Sequence, residues 1–315
     1  MPVIAVIGEA LIDLVVRDNG HADARPGGGP YNTARTLARL GAPVAFLGGM
    51  GGDGFGRVLR DRLVADGVAI GLSEPSAAPS TLAVAEVDQE GAASYSFYLA
   101  GTAAVEVGYP ALRAALPEDV AAFHVGSLGL AMEPVGSAAE RLVLTDVADN
   151  ALVMLDPNCR PGAVLDKAAY LRRMEAIARR ADVVKASVAD LAYLYPDKPP
   201  AAAATALLAL GVAAVLVTAG SHPARAFLPG TELAADVPRV SVVDTIGAGD
   251  AFGGGFLAWW MARGLTRADL RWPAMVSDAL RTAAAVAALT CTRPGADPPA
   301  QTEVRSGGWW PEPVA

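Results

Sequence analysis

The chain has 315 residues, of which 53% are hydrophobic and 18% are charged, a composition typical of an ordered globular protein with a sizeable core. Its formal net charge of −8 comes without a long basic run, which argues against binding to nucleic acid or to an anionic membrane surface. An anionic substrate would therefore have to be held by local positive groups or by helix N-termini.

The cysteines and the apolar runs indicate the compartment. Cys159 and Cys291 are too few for a disulfide framework, and neither they nor the three scattered histidines have metal-site spacing. The N-terminus lacks the basic segment of a secretory signal, and no apolar run is long enough to span a bilayer. We therefore expect a cytoplasmic protein with no membrane partner.

In chain order, short β-branched runs alternate with helical segments rich in Ala, Leu and Arg. This pattern predicts an α/β fold with a mostly parallel sheet wrapped by helices. Ligands of such folds bind beyond the carboxyl ends of the strands, so polar residues at those ends are candidate site residues. The predicted buried strands are Val3–Ile7, Val44–Leu47, Leu152–Leu155, Val183–Lys185 and Ala213–Val217.

Two segments depart from this alternation. The runs Ser80–Glu86 and Ser94–Leu99 flank the turn signal Asp88-Gln-Glu-Gly91, which predicts an antiparallel hairpin. Such a hairpin must lie off the main sheet, either as an edge extension or as a lid that keeps water from a binding site. From about Pro298 the chain is rich in Pro, Gly and Trp, which predicts an irregular tail whose tryptophans pack against the body.

A glycine-rich loop precedes the first predicted helix. Gly27-Gly-Gly-Pro-Tyr-Asn32 allows the backbone to approach a small ligand, and the Asn32 amide suits sugar hydroxyls. The later run Gly48–Gly56 has glycine spacings of a dinucleotide fingerprint. A Rossmann site places its glycines directly after the first strand, where this chain has Glu9-Ala-Leu-Ile-Asp13, so a NAD-dependent dehydrogenase is disfavoured. A Walker A motif is also absent from the sequence.

The most informative motif is Asp244-Thr-Ile-Gly-Ala-Gly-Asp250, which lies just before an apolar segment that predicts a helix. The unpaired N–H groups and the macrodipole at a helix N-terminus form an anion site. A carboxylate beside a bound phosphate is repelled, so the role that suits Asp250 is to accept the proton of a hydroxyl that attacks the phosphorus. Taken alone, the motif fits a helix cap and a tight turn at least as well.

Two further groups follow predicted strands. Asp13 could bond paired sugar hydroxyls, and Asp156-Pro-Asn158-Cys-Arg160 places an amide and a guanidinium where a phosphate or a polyol could bind. The alternatives are a solvated turn carboxylate and a turn stabilised by Asx hydrogen bonds.

In combination, the order and spacing of these motifs resemble the ribokinase (PfkB-like) family of sugar kinases, from about Val3 to Pro299. The segments that most resemble its fructokinase branch are Gly8–Leu14, Asp156–Pro161, Lys185–Leu191 with the following Leu194-Tyr-Pro196, and Thr290–Asp297. The resemblance implies a single domain over residues 1–315, with a central sheet flanked by helices and a small β lid from about 9–30 and 73–104. The oligomeric state stays open, and the exposed sheet edge of such a lid could pair with a second copy to form a homodimer.

The resemblance also implies roles for individual residues. Asp250 would be the general base, and the amides of Gly247, Ala248 and Gly249 the anion hole. The sugar would be bound by Asp13, Gly28, Gly29, Asn32, Phe97, Asp156 and Arg160. The ATP would be bound by Lys185, Ser187, Asp190, Thr218 and Gly220.

The implied cofactors are ATP, Mg²⁺ and K⁺. The nucleotide's own phosphates and water would hold most of the Mg²⁺ coordination. A monovalent cation would draw on Asp244, Ile246, Thr290, Arg293 and Gly295, mostly through the backbone. Many relatives have Asn-x-x-Glu where this chain has Ser187-Val-Ala-Asp190, and Pro223 replaces a usual glycine, so the nucleotide contacts differ in detail.

These roles predict ATP-dependent phosphorylation of a primary sugar hydroxyl, with the 6-hydroxyl of fructose favoured. The alternatives are a 2-keto-3-deoxygluconate kinase, a ribokinase, a nucleoside kinase and a non-catalytic sugar- or nucleotide-binding regulator. An acidic sugar would need a cation near the lid strand, and residues 95–102 contain none, so a neutral sugar is favoured. The intact Asp250 turn argues against the regulator.

Overall fold

The large sheet of the computed structural model, which describes residues 3–17, 20–87 and 93–310, has nine strands in the order β13-β12-β11-β10-β9-β8-β1-β4-β5. All neighbouring pairs are parallel except β11–β12 and β12–β13. The strands are β1 Val3–Ile7, β2 Leu11–Arg17, β3 Ala22–Gly27, β4 Val44–Leu47, β5 Ala69–Ile70, β6 Thr81–Val87, β7 Ala93–Tyr98, β8 Val120–Gly126, β9 Leu152–Asp156, β10 Val183–Ser187, β11 Ala214–Ala219, β12 His222–Leu228 and β13 Thr231–Ala235.

Helices cover both faces of this sheet. Because side chains alternate along a strand, Ile4 and Val6 of β1 face one core and Ala5 and Ile7 face the other. The helices are α1 Gly29–Arg39, α2 Gly54–Asp66, α3 Tyr109–Ala115, α4 Val135–Thr145, α5 Lys167–Ala178, α6 Val188–Leu194, α7 Pro200–Ala209, α8 Ala248–Ala262, α9 Pro273–Thr290 and α10 Gln301–Ser306. Buried side chains of α1, α8 and α9 fill the first core, and those of α4, α5 and α7 fill the second.

The five predicted strands are confirmed, with four adjusted ends. β9 and β10 continue through Asp156 and Ser187, and β11 runs one residue later at its start and reaches Ala219. The extensions occur because pairing with the neighbouring strand continues, as in the Ser187–Thr218 register pair. The polar residues Asp156 and Ser187 therefore belong to the carboxyl ends of these strands, where the predicted site residues lie.

The predicted hairpin is confirmed as β6 and β7, which pair antiparallel within a small sheet of order β3-β2-β6-β7. The strand β2 pairs with β6 in parallel, which joins the segment after Gly8 to the hairpin. The predicted turn Asp88–Gly91 lies outside the described residues. Strands β3 and β7 form the edges through which a second copy could pair, so the homodimer and the lid function stay predictions.

The prediction of an irregular tail is wrong for residues 301–306, which form α10. The Glu303 carboxylate accepts a hydrogen bond from the backbone N–H of Ala300, and Val304 is fully buried. A helix this short shows no clear period in sequence, and tertiary packing stabilises it. The packing of Trp310 against the body is confirmed, because its side chain is buried in the core that contains α8 and α9. Within the described residues, none of the helices combines the length and the apolarity of a membrane span.

The contact between α1 and α8 gives a stability prediction. A Cβ at Gly254 would lie 2.8 Å from Thr36 Cβ, whereas one at Gly253 would lie 3.7 Å from Met154 Sδ, an ordinary contact. We expect Gly254→Ala to lower the free energy of unfolding by about 1–3 kcal/mol, because the added methyl group overpacks the contact between the helices. We expect Gly253→Ala to stabilise the helix by about 1 kcal/mol. Urea unfolding of both variants checks this, and equal stability of the two would contradict the close approach of the helices.

Candidate active site

Two glycine loops meet where α1 and α8 begin. Gly28 has a φ of 108°, and a Cβ there would lie 2.5 Å from the carbonyl oxygen of Glu9. Gly247 has a φ of 77°, and its Cβ would lie 2.5 Å from that of Ala296. Both positions combine a left-handed backbone with no room for a side chain, so only glycine fits them.

Asp250 is the third residue of α8 and is 8% exposed. Its Oδ2 accepts a hydrogen bond from Asn32 Nδ2 at 2.9 Å, and its Oδ1 accepts one from Asn158 Nδ2 at 3.4 Å. The alternative of a capping role is not supported, because α8 begins after Gly247 without a side-chain cap. The carboxylate instead faces the first turn of α1 and the loop after β9.

Burial raises the pKa of Asp250 to about 7. The positive charge of Lys185 and the hydrogen bond from Asn32 both lower this pKa, and the Asp156 carboxylate raises it. A carboxylate with a pKa near neutrality binds a proton far better than an ordinary aspartate does. This is the property that a general base for a sugar hydroxyl needs.

Candidate sugar-binding residues surround the Asn158 side of this carboxylate. A Cβ at Gly29 would lie 2.9 Å from Asn158 Nδ2, and Asn158 precedes the exposed Arg160, which donates to the carbonyls of Asn158 and Cys159. Burial raises the pKa of Asp13 to about 6, and the charge of Arg160 lowers it, so the two side chains are electrostatically coupled. The fold therefore brings Asp13, Gly29, Asn32 and Arg160 to one region.

The small sheet reaches the same region. A Cβ at Gly162 would lie 3.7 Å from the Phe97 ring of β7. Asp13 belongs to β2 of the small sheet, and a Cβ at Gly27 would lie 2.0 Å from its Oδ2. The position of Phe97 beside the loop after Arg160 is consistent with its predicted contact with a bound sugar.

Asp156 and Lys185 bind each other. Lys185 Nζ lies 2.8 Å from Asp156 Oδ2, and both side chains are buried. Burial raises the pKa of Asp156, and the ammonium of Lys185 opposes that shift. The resemblance assigns Asp156 to the sugar and Lys185 to the nucleotide. In the structure the two side chains form one ion pair, which lies between the candidate sugar-binding and nucleotide-binding residues.

The other candidate nucleotide residues lie at the ends of β10 and β11. The Asp190 carboxylate accepts hydrogen bonds from Ser187 N, from Ser187 Oγ and, at 2.7 Å, from Cys159 N. Ser187 pairs with Thr218 across the sheet, and the exposed Gly220 forms the turn after β11. Asp190 thus ties the end of β10 to the Arg160 loop.

The candidate cation residues are held together by Asp244. Its Oδ1 accepts from Ile246 N at 3.1 Å, and its Oδ2 accepts from Gly295 N at 2.8 Å. Thr290 is buried, and its carbonyl accepts from Arg293 N. A carboxylate and backbone carbonyls are the oxygen ligands that a hard cation prefers, so the donor set fits K⁺. Arg25 of β3 also reaches this carboxylate, with Nη1 3.2 Å from Asp244 Oδ2.

Magnesium would be bound in a different way from K⁺. Among residues 3–17, 20–87 and 93–310, no group of three or more His, Cys, Asp or Glu side chains is arranged to hold a metal ion. The expectation that the nucleotide's phosphates and water hold most of the Mg²⁺ coordination stays a prediction.

The sequence analysis gave Glu9 no role, and for Asn158 it indicated only that the amide could bind a phosphate or a polyol. The buried Glu9 carboxylate accepts hydrogen bonds from Gly29 N at 3.1 Å and from Gly129 N at 2.9 Å, so it fixes the glycine loop. Asn158 has a φ of 38° and Ser127 a φ of 63°. Such left-handed non-glycine residues concentrate at functional sites. The position of Glu9 at the end of β1 was the available signal for it.

Residues 1–303 match the sequence profile of the pfkB family carbohydrate kinases. The chain belongs to this family. It is 36% identical to a fructokinase of Rhizobium leguminosarum bv. trifolii over 258 residues, 80% of this chain and 77% of the relative. It is 33% identical to the probable fructokinase-4 of Arabidopsis thaliana over 314 residues, 96% of this chain and 95% of the relative.

Solved structures agree with this assignment. A fructokinase of Xylella fastidiosa with bound ATP has a TM-score of 0.87 at 29% identity, covering 96% of this chain and 97% of that one. A fructokinase of Vibrio cholerae O395 bound to fructose, ADP and calcium ion has a TM-score of 0.84 at 26% identity, covering 97% and 98%. The predictions of a ribokinase-like fold and of a carbohydrate kinase are confirmed.

The environment of Asp250 predicts the pH dependence of this pfkB-family kinase. The carboxylate must be deprotonated to act as a base, so kcat/KM should rise with pH and level off above about 7. Asn32→Ala removes a hydrogen bond that lowers the pKa of Asp250, so the rising limb should move to higher pH. Asn158→Ala removes a longer contact and should move it less.

The nucleotide phosphates also titrate near neutral pH, so the informative quantity is the difference in pH between the rising limbs of the variants. Profiles of kcat/KM against pH, measured at saturating Mg·ATP, give this difference. A rising limb at the same pH in the parent enzyme and in Asn32→Ala would show that Asp250 does not control the rate.

Proposed function

We propose that this kinase transfers the γ-phosphoryl group of ATP to the 6-hydroxyl of fructose. The observation that carries the proposal is the buried Asp250 carboxylate in the first turn of α8, hydrogen-bonded by Asn32 and Asn158. Relatives named as fructokinases align with most of the chain, which supports fructose as the acceptor.

In the proposed reaction, the Asp250 carboxylate accepts the proton of the sugar hydroxyl as the hydroxyl oxygen bonds to the γ-phosphorus. The bond from that phosphorus to the bridging oxygen breaks, and its electron pair stays on ADP. The backbone N–H groups of Gly247, Ala248 and Gly249, with the positive end of α8, stabilise the transferring charge. Magnesium bound to the nucleotide would supply further charge neutralisation.

The charges around the sugar region favour a neutral acceptor. The Asp13 carboxylate and the Arg160 guanidinium oppose each other there, so neither sign of substrate charge is strongly favoured. Asn32 and Asn158 offer amide groups that can bond hydroxyls on either side of Asp250. Nucleosides are included among the acceptors to be tested, because the structure of an aminoimidazole riboside kinase of Salmonella enterica matches this chain with a TM-score of 0.82 at 26% identity.

Release of ADP from Mg·ATP tests the proposal across fructose, 2-keto-3-deoxygluconate, ribose, aminoimidazole riboside and inosine. We expect the highest kcat/KM with fructose. Asp250→Asn should lower kcat by about 10²–10⁴-fold because it removes the general base. A higher kcat/KM with another acceptor would overturn the choice of fructose, and an Asp250→Asn variant with parental kcat would overturn the role of Asp250.

We further propose that K⁺ binds beside the anion hole through the Asp244 carboxylate and nearby carbonyls. The Arg25 guanidinium lies 3.2 Å from Asp244 Oδ2 and therefore competes with a cation for the same carboxylate. Arg25→Gln should tighten the apparent K⁺ affinity about fivefold, since like charges about 4 Å apart in water repel by about 1 kcal/mol.

Rates measured across KCl concentrations at constant ionic strength, with NaCl as the balance, check this prediction. Arg17→Gln, on β2 of the same small sheet, is the matched control and should leave the K⁺ response unchanged. Equal rates in KCl and NaCl for both the parent enzyme and Arg25→Gln would contradict the cation site.

A further inference from the structure

Arg35 is a buried arginine on α1 to which the proposed reaction gives no role. Its side chain is 5% exposed, and its Nε lies 2.6 Å from Oδ2 of Asp66, the last residue of α2. Its Nη1 donates a hydrogen bond to the carbonyl oxygen of Ala296 at 2.9 Å. A buried ion pair adds little net stability, so the bond to the backbone carbonyl is the more informative of the two.

Ala296 lies directly against the turn that precedes α8. A Cβ at Gly247 would lie 2.5 Å from the Cβ of Ala296 and 3.0 Å from its Cα, so the two segments are in close contact. The backbone N–H of Asp297 donates to the carbonyl of Gly295 at 2.9 Å, which places Ala296 at the centre of a tight three-residue turn. The bond from Arg35 therefore holds this turn against the N-terminus of α8.

Helix α1 thus contacts the start of α8 in two ways. Asn32 Nδ2 lies 2.9 Å from Asp250 Oδ2, which is a direct hydrogen bond to the proposed base. Arg35 lies three residues further along the same helix and reaches Gly247 indirectly, through Ala296. One helix therefore fixes both the base and the first residue of the proposed anion hole.

The charged groups around Arg35 separate its two contacts. The Asp297 carboxylate is a distant partner, with Oδ1 3.8 Å from Nη2 of Arg35. Arg39 Nη1 lies 2.6 Å from the same oxygen, and Arg293 Nη1 lies 3.9 Å from the other one. Asp66 is therefore the main partner of the Arg35 charge. Its removal would change the ion pair and leave the hydrogen bond to the carbonyl in place.

We propose that Arg35 is a positioning residue for the anion hole: through Ala296 it holds Gly247 at the distance from Asp250 that in-line phosphoryl transfer requires. This inference rests on the proposed function. Arg35 touches neither substrate and exchanges no proton. The charge that the anion hole stabilises develops during the transfer, so displacement of Gly247 should lower kcat more than it raises the KM for Mg·ATP.

Arg35→Lys tests the proposal, because it keeps a positive charge near Asp66 but replaces the guanidinium fork with a single nitrogen. We expect kcat to fall about 10–100-fold, the size of effect that a small misplacement of a reacting group produces. The KM for Mg·ATP should rise less than about threefold. The rising limb of the pH profile should stay at the same pH, because the hydrogen bond from Asn32 to Asp250 is intact.

Two variants serve as controls. Asp66→Asn keeps the bond from Arg35 to Ala296, so it should lower the free energy of unfolding and leave kcat within about threefold of the parent value. Arg39→Lys is the matched arginine substitution on the same helix, and its partner is a side chain of the loop, so it should leave kcat unchanged. A loss of kcat in either control as large as in Arg35→Lys would overturn the proposal.

Hydrogen–deuterium exchange of the backbone amides of residues 244–251, measured without substrates, gives a result that does not depend on the acceptor. We expect faster exchange in Arg35→Lys and parental exchange in Arg39→Lys. If Arg35→Lys does not fold, Arg35→Met combined with Asp66→Asn takes its place, because it buries no unpaired charge. Parental exchange over these residues, or a parental kcat, in a folded variant without Arg35 would overturn the proposal. A failure of every acceptor would instead overturn the proposed function, and the exchange result would still decide the role of Arg35.

Discussion

Close packing of α1 against α8 fixes the relative positions of the candidate site residues Asn32 and Asp250. Gly254 leaves room for Thr36, and the Thr33 hydroxyl donates to the carbonyl of Asp250. This contact holds Asn32 Nδ2 2.9 Å from Asp250 Oδ2, so a hydrogen bond joins α1 to α8 at the candidate site. A change in the distance between the helices would therefore displace Asp250, Asn32 and the two glycine loops together.

The second constraint is the charge balance behind these helices. Burial raises the pKa values of Glu9, Asp156 and Asp250, while Lys185 is the buried cation that interacts with the last two. Buried carboxylates of this kind cost stability and are typical of sites where a perturbed pKa is used. In a chain with a net charge of −8, the proposed phosphoryl transfer depends on local positive features such as the N-terminus of α8.

Most of the fold and the turn that precedes α8 could be predicted because they rest on local signals. Buried strands follow from apolar runs, and the turn before α8 follows from Gly247 and Gly249 between two carboxylates. Contacts between distant segments could not be predicted in the same way. The Glu9 bond to Gly129 joins residues 120 positions apart, and the Asp156–Lys185 pair depends on the register of neighbouring strands. The short α10 is stabilised by packing, which leaves little trace in sequence.

A crystal structure of the kinase with fructose and Mg·AMPPNP tests the central claim most directly. The account predicts the γ-phosphate against the backbone N–H groups of Gly247, Ala248 and Gly249, and the 6-hydroxyl of fructose within hydrogen-bonding distance of Asp250. A γ-phosphate bound away from the start of α8, or a sugar whose hydroxyls do not approach Asp250, would contradict it.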